Sequence, residues 1–177
     1  MEKVWLGLGS NLGNSQQILQ DAWQELGQEE NVNILSLASP YASDPVGMES
    51  DNVFVNSTGI LETSLAPHEL LRLLKRVEKG FGRKVKTGTD GYQDRLLDLD
   101  ILYFGDRQSV TDELQIPHPH IAERLFVLAP LVEIDPEHCD PRTGEQVSAM
   151  HSSLLAKISQ GSLAFQKIQR ETWVNLK

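Results

Sequence analysis

Apolar residues recur along this chain at two spacings, and the switches between them lay out its elements. Residues 4–9 alternate as a short strand, and Gly7, Gly9 and Gly13 read as the turn that follows. Ile18, Leu19, Ala22, Trp23 and Leu26 fall on one face of a helix that starts near Ser15. A second strand over 32–39 stops at Pro40, and a loop with Asp44-Pro45 and Gly47 leads to a third strand over 53–61. Pro67 suits the first turn of a second helix. Leu70, Leu71, Leu74, Val77 and Phe81 give that helix its buried stripe, and Gly80 and Gly82 end it. After a loop containing Gly88 and Gly91, residues 96–104 form a fourth strand.

This β-α-β-β-α-β order predicts an α+β fold of the ferredoxin-like kind, an antiparallel sheet with helices packed on it and extra C-terminal elements. Beyond that core, Gly105-Asp106 turns the chain into short strands at Val110 and 114–116. Pro119 opens a helical region carrying Ile121, Leu125, Leu128 and Val132, which Pro130 should bend or end. A helix is expected over 152–158, and the pattern leaves the closing segment open. With 177 residues, no internal repeat and no low-complexity linker, one domain over 1–177 is expected, its extension over 137–177 having no assigned role.

Composition narrows the function classes. A net charge of −9 disfavours non-specific nucleic-acid binding, which relies on a basic surface. The single Cys139 excludes an internal disulfide and fits a reducing compartment. No run approaches eighteen apolar residues, so no membrane span is expected. Together these features suggest a cytoplasmic monomer.

The densest chemistry lies in the fourth strand. Asp98 and Asp100 are two apart, so their carboxylates share one face while Leu97, Leu99 and Ile101 share the other. Such a pair suits hard divalent ions, which take oxygen ligands and complete their shells with substrate phosphates. The preceding segment, 72–95, holds Arg72, Lys75, Arg76, Lys79, Arg83, Lys84, Lys86 and Arg95, half of the sixteen basic residues, whereas residues 1–71 hold only Lys3. Metals on the carboxylates and cations around them would neutralise a polyphosphate from two sides. Taken alone, two solvated aspartates and a solvated helix face are the commoner explanation, but their adjacency favours a site.

Other motifs weigh less. Gly7, Gly9 and Gly13 miss the dinucleotide-binding spacing by one residue, and no P-loop sequence is present. His118 and His120, flanked by Pro117 and Pro119, make a poor zinc motif; the prolines more simply stiffen a turn that places one imidazole. His68, His138 and His151 read as surface residues. Phe54 and Asn56 share a strand face, and with Phe126 they could offer a flat heterocycle two rings to stack on and an amide to read its edge. For the pair taken alone, two core phenylalanines and a turn-bonding Asn are the commoner explanation.

Several segments occur in an order that resembles a known family. They are Gly9-Ser10-Asn11-Leu12-Gly13, Phe54-Val55-Asn56, residues 61–67 and 95–101, Ile116-Pro117-His118, and residues 124–131. Together, over about residues 3–137, they resemble the 6-hydroxymethyl-7,8-dihydropterin pyrophosphokinases of folate biosynthesis. The resemblance implies ATP and 6-hydroxymethyl-7,8-dihydropterin as substrates, with the terminal diphosphate transferred to the pterin hydroxymethyl group and AMP released. It implies two Mg²⁺ ions on Asp98 and Asp100, and Arg83 and Arg95 as catalytic phosphate clamps. Lys75, Glu78, Lys86, Ile101, His118 and Arg124 would fall at ATP-binding positions; Ser43, Val46, Phe54, Asn56 and Phe126 would form the pterin pocket. Where the family's loop commonly reads Arg-Trp-Gly-Pro-Arg, this chain has Gly91-Tyr92-Gln93-Asp94-Arg95, which offers Tyr92 as a replacement aromatic.

Overall fold

A computed structural model describes residues 1–45, 51–82 and 94–174. In chain order the elements are β1 (Glu2–Ser10), α1 (Ser15–Leu26), β2 (Val32–Leu37), β3 (Tyr41–Ser43), β4 (Phe54–Thr63), α2 (Pro67–Gly80), β5 (Asp98–Phe104), β6 (Ser109–Val110) and β7 (Gln115–Ile116). A 3₁₀ turn (Ile121–Glu123), α3 (Leu125–Ile134), α4 (Val147–Ser159) and β8 (Ile168–Arg170) complete them.

The sheet is antiparallel, with β1 between β5 and β4. Both β2 and β3 pair with β4, and β8 pairs with β3. The ferredoxin-like order is therefore present, with β3 and β8 added along one margin. Period-two alternation divides β1 between two apolar layers. Val4, Leu6 and Leu8 join Leu19, Trp23, Leu70, Leu74 and Val77 beneath α1 and α2. Trp5 points the other way, into a layer with Tyr103, Leu125, Leu128 and Leu154 under α3 and α4. Helices cover both faces of the sheet.

Local chemistry explains the helix starts. Asn14 caps α1 by accepting from the Gln17 N–H at 3.5 Å, and Glu69 reaches back to the Ala66 N–H at 2.8 Å ahead of α2. Trp23 on α1 lies flat where β4 has Gly59: a Cβ built on that glycine would come within 2.5 Å of the indole. A bare backbone at this point lets helix and sheet approach closely.

Several expectations change. Gly7 and Gly9 lie inside β1 rather than in the turn; of the three glycines only Gly13 has a positive φ, 69°. The first strand runs to Ser10, and the second ends at Leu37 rather than at position 39. On α2 it is Leu73 that is buried, with Leu71 and Phe81 only partly covered. The helical region after Pro119 splits because Arg124 is extended (φ −113°, ψ 106°). Pro130 does not end α3, which continues to Ile134, because only the one Pro130 N–H is missing from its ladder and its face is buried among apolar neighbours. The last helix begins five residues earlier than expected, at Val147, and the open closing segment supplies β8. His138 is not at the surface: it is half-buried, its ring 3.9 Å from that of Trp5.

Candidate active site

A pocket opens on the α3 side of the sheet, over the end of β1. Gly7 and Gly9 form its floor, because side chains there would occupy it: a Cβ on Gly9 would stand 3.3 Å from Asn56 Oδ1, and one on Gly7 3.4 Å from Leu102. Gly9 pairs with Asp98 on one side and Asn56 on the other, and Gly7 pairs with Asp100. These registers bring the carboxylates of β5 and the amide of β4 to one surface across the glycine strand.

Asp98 and Asp100 both line this pocket, together with Arg95, Arg124, Phe54, Asn56, Ser43 and Phe126. Arg95 Nη1 lies 2.7 Å from Asp98 Oδ1, and the guanidinium is only 11% exposed. Among the described residues Asp100 has no cation as close. Its enclosure by the pocket walls pushes its carboxyl up to about 7, and the negative charge of Asp98 adds to that; Arg124 and Arg95 offset only part of it. Two neighbouring carboxylates, each made less favourable by the other's charge, would suit a divalent cation. Among the described residues no group of three or more His, Cys, Asp or Glu forms a ligand cage. A pair of carboxylates could supply only part of a coordination shell, leaving phosphate or water oxygens to supply the rest, as an open Mg²⁺ site would need.

His118 faces the same carboxylates, with Nε2 4.0 Å from Asp100 Oδ2. Burial, helped by the positive charge of Arg124, lowers its pKa to about 4, so the ring is neutral at ordinary pH. Its Nδ1 accepts from the His120 N–H at 3.2 Å, which leaves Nε2 as the protonated nitrogen, on the side of Asp100. The opposite wall holds two aromatic rings and an amide. Ser43 pairs with Phe54 across β3 and β4, and Asn56 Nδ2 donates to Ser43 Oγ at 3.0 Å. Phe126 comes from the first turn of α3, with the Arg124 guanidinium 5.8 Å from its ring centre.

The remaining candidates are dispersed. Arg83, Lys86 and Val46, with Tyr92, lie outside the described residues. Lys75 is exposed on α2 and does not line the pocket. Ile101 is buried in the layer under α1 and α2, so its side chain faces away from the pocket. Only its backbone, along the outer edge of β5, is available to a ligand. Glu78 is buried and accepts from the Leu99 N–H at 2.9 Å, tying α2 to that edge. Of the described members of the basic cluster, Arg76 pairs with Glu29 at 2.8 Å and only Arg95 lines the pocket.

Sequence reasoning missed three contributors. The glycine floor was legible as glycine inside a strand, a sign of close approach. Leu102 continues the period-two face of Asp98 and Asp100 into the pocket. Asn11 left no such signal. It accepts from the Arg95 N–H at 2.7 Å, its own N–H donates to the Arg95 carbonyl at 3.1 Å, and its Nδ2 donates to Asp94 at 2.6 Å. Asn52 Nδ2 donates to the other oxygen of Asp94 at 2.7 Å. Asp94 stands where the resembling family commonly has proline, and here it joins the chain after β1, before β4 and before β5.

The chain matches the family model described as 7,8-dihydro-6-hydroxymethylpterin-pyrophosphokinase over residues 5–136. It is 42% identical over 131 residues to the 2-amino-4-hydroxy-6-hydroxymethyldihydropteridine pyrophosphokinase of Bacillus subtilis, covering 74% of this chain and 77% of that one. The protein of the same name from Synechocystis is 38% identical over 142 residues, covering 80% and 71%. Among solved structures, a Plasmodium falciparum wild-type HPPK-DHPS superposes with a TM-score of 0.71 at 14% identity, covering 96% of this chain. An HPPK-DHPS in complex with substrates superposes with a TM-score of 0.72 at 15% identity, also over 96%. This chain spans less than half of either solved chain, 44% and 46%, and at these identities they speak for the fold alone. On sequence and fold together, the chain belongs to the 7,8-dihydro-6-hydroxymethylpterin pyrophosphokinase family.

Proposed function

We propose that this chain transfers the diphosphate of ATP to the hydroxymethyl group of 6-hydroxymethyl-7,8-dihydropterin and releases AMP, a step of folate biosynthesis. The observation that carries the reading is the shared pocket: a carboxylate pair on β5 and an aromatic–amide wall on β3, β4 and α3 meet across a glycine floor. A hydrolase needs the first half of that site but has no use for the second.

In this reading the pterin ring lies between Phe54 and Phe126, with Asn56 and Ser43 on its edge. Its hydroxyl oxygen attacks the β-phosphorus, the bond from that phosphorus to the bridging oxygen of AMP breaks, and the hydroxyl proton is lost. Two Mg²⁺ ions held by Asp98 and Asp100 would supply positive charge to the triphosphate and to the departing AMP oxygen. Arg95 is held by Asp98 on one side and by Asn11 through its backbone, so its guanidinium is preorganised beside the phosphates. Arg124 adds a second cation from the far wall. His118, kept neutral by burial, offers Nε2–H as a donor without adding charge. Arg83 and Lys86 are assigned to the phosphates, and Lys75, Glu78 and Ile101 to ATP, by the family resemblance alone; Val46 is assigned to the pterin on the same ground. We take the working form to be a monomer of one domain.

The test is AMP release from ATP, with and without 6-hydroxymethyl-7,8-dihydropterin, in the presence of Mg²⁺. AMP is expected only when pterin and metal are both present, and D98A and D100A should abolish it while far-UV circular dichroism stays native. ATP breakdown that ignores the pterin, or a wild-type rate in either variant, would overturn the reading.

A further inference from the structure

The segment after α4 has the weakest sequence signals of the chain, yet it fastens both walls of the pocket. Gln166 reaches the start of α3 from 41 residues away: its Oε1 accepts from the Leu125 N–H, and its Nε2 donates to the Glu123 carbonyl, both at 2.8 Å. Arg124, the residue bracketed by these bonds, gives α3 no side-chain cap of its own, so Gln166 satisfies one of the helix's open donors. The backbone it grips carries Arg124 and Phe126 into the pocket.

Two residues later the chain becomes β8 and pairs with β3, Ile168 opposite Ser43 and Arg170 opposite Tyr41. Ser43 is the residue that accepts from Asn56 and stands across from Phe54. Arg170 also lies 3.1 Å from Glu133 near the far end of α3, and Glu133 in turn accepts from the Ser39 N–H at 3.0 Å and from the Tyr41 hydroxyl at 3.0 Å. One short stretch of chain therefore holds α3 near both ends and the β3 margin between them.

We propose that residues 166–170 are a brace that sets the width of the pterin pocket, with Gln166 as the positioning residue that keeps the Phe126 wall at its working distance from the Phe54 wall. The inference rests on the assignment of this pocket to the pterin made above. Spacing matters because a flat ring draws its affinity from contact on both faces, and a gap of about 0.5–1 Å on one face forfeits roughly a quarter to a half of each contact's attraction. ATP is gripped mainly at β5 by the metal carboxylates and Arg95, with Arg124 its one assigned contact on the braced backbone, so it depends less on that width.

The experiment is calorimetric titration of wild type and Q166M, first with a non-hydrolysable ATP analogue and Mg²⁺, then with 6-hydroxymethyl-7,8-dihydropterin on top. Methionine keeps the length of the side chain and removes both hydrogen bonds. Pterin affinity should fall about tenfold, the equivalent of losing ordinary hydrogen bonds that hold the wall, while analogue affinity changes less than about threefold. Equal losses for the two ligands would mean simple destabilisation and overturn the brace, as would unchanged pterin binding. R170M breaks the second fastening with Gln166 intact, and it should shift the same ligand in the same direction if Q166M does not fold. Wild-type protein that fails to bind the pterin overturns the functional reading itself; wild-type binding matched by both variants overturns only the brace.

Discussion

At Asp100 one side chain reports on the whole site. Its carboxyl is raised to about 7 by enclosure first and by Asp98 second, so near neutral pH it is half protonated until a cation arrives. Cation binding favours the ionised form and must displace that proton. Mg²⁺ binding at pH 7 should therefore release about half a proton from this site, and close to none at pH 9, where the carboxyl is already ionised. Titrations in two buffers of different ionisation enthalpy measure the release; none at pH 7 would remove Asp100 as a ligand or show that its pocket does not shift it. The pairing of Asp98 with Asp100 was legible because strand alternation is a strict geometric rule. The shift was not, since it depends on walls that residues far along the chain provide.

Among the elements, legibility followed length and periodicity. The stripes of α1 and α2 are long enough to declare themselves, and so is β5. Three-residue β3 has no room to show a period, and it is a strand because the first half of β4 offers it an edge. β8 depends in the same way on β3. The first turn of α4 reads Val147-Ser148-Ala149-Met150, with Val147 and Met150 buried, and packing against α3 fixes where it starts. The contact of α1 with β4 tests how tightly the layers are built. Gly59→Ala would press a methyl group into the Trp23 ring, and overpacking of this kind costs about 1–3 kcal/mol. Urea unfolding should show that loss with little change in the slope against denaturant; wild-type stability would mean that the helix can shift outward freely.

Seen as a whole, the molecule divides its labour between the two faces of its sheet. The α1–α2 layer is the ferredoxin-like frame, and the α3–α4 layer brings the walls of the pocket, so the frame is what periodicity predicts and the pocket is what it does not. The second layer has its own polar anchor away from the pocket. Asp140, fully buried, takes Arg142 at 2.7 Å and the Tyr103 hydroxyl at 3.3 Å, joining the segment before α4 to β5. Burial disfavours its charge, but the hydrogen bonds and charge of Arg142 outweigh that and hold the carboxyl below its usual range. The stability it contributes is thus complete above about pH 4 and is lost as pH falls through the lower folded value. D140A should cost about 2–3 kcal/mol at pH 7, less than a fully buried pair because Arg142 is one-third exposed. The difference from wild type should narrow in acid, and a constant gap down to pH 2 would contradict this account.

The carboxylate of Asp94, shared between Asn11 and Asn52, has a consequence for how the rim of the cleft behaves. A proline at that position could bind neither amide, which would leave the Asn11–Arg95 bonds to hold the stretch after β1 to the stretch before β5. Bound to a single acidic group, the three stretches of backbone are held in one spacing, so a substitution of Asp94 would reach both asparagines together.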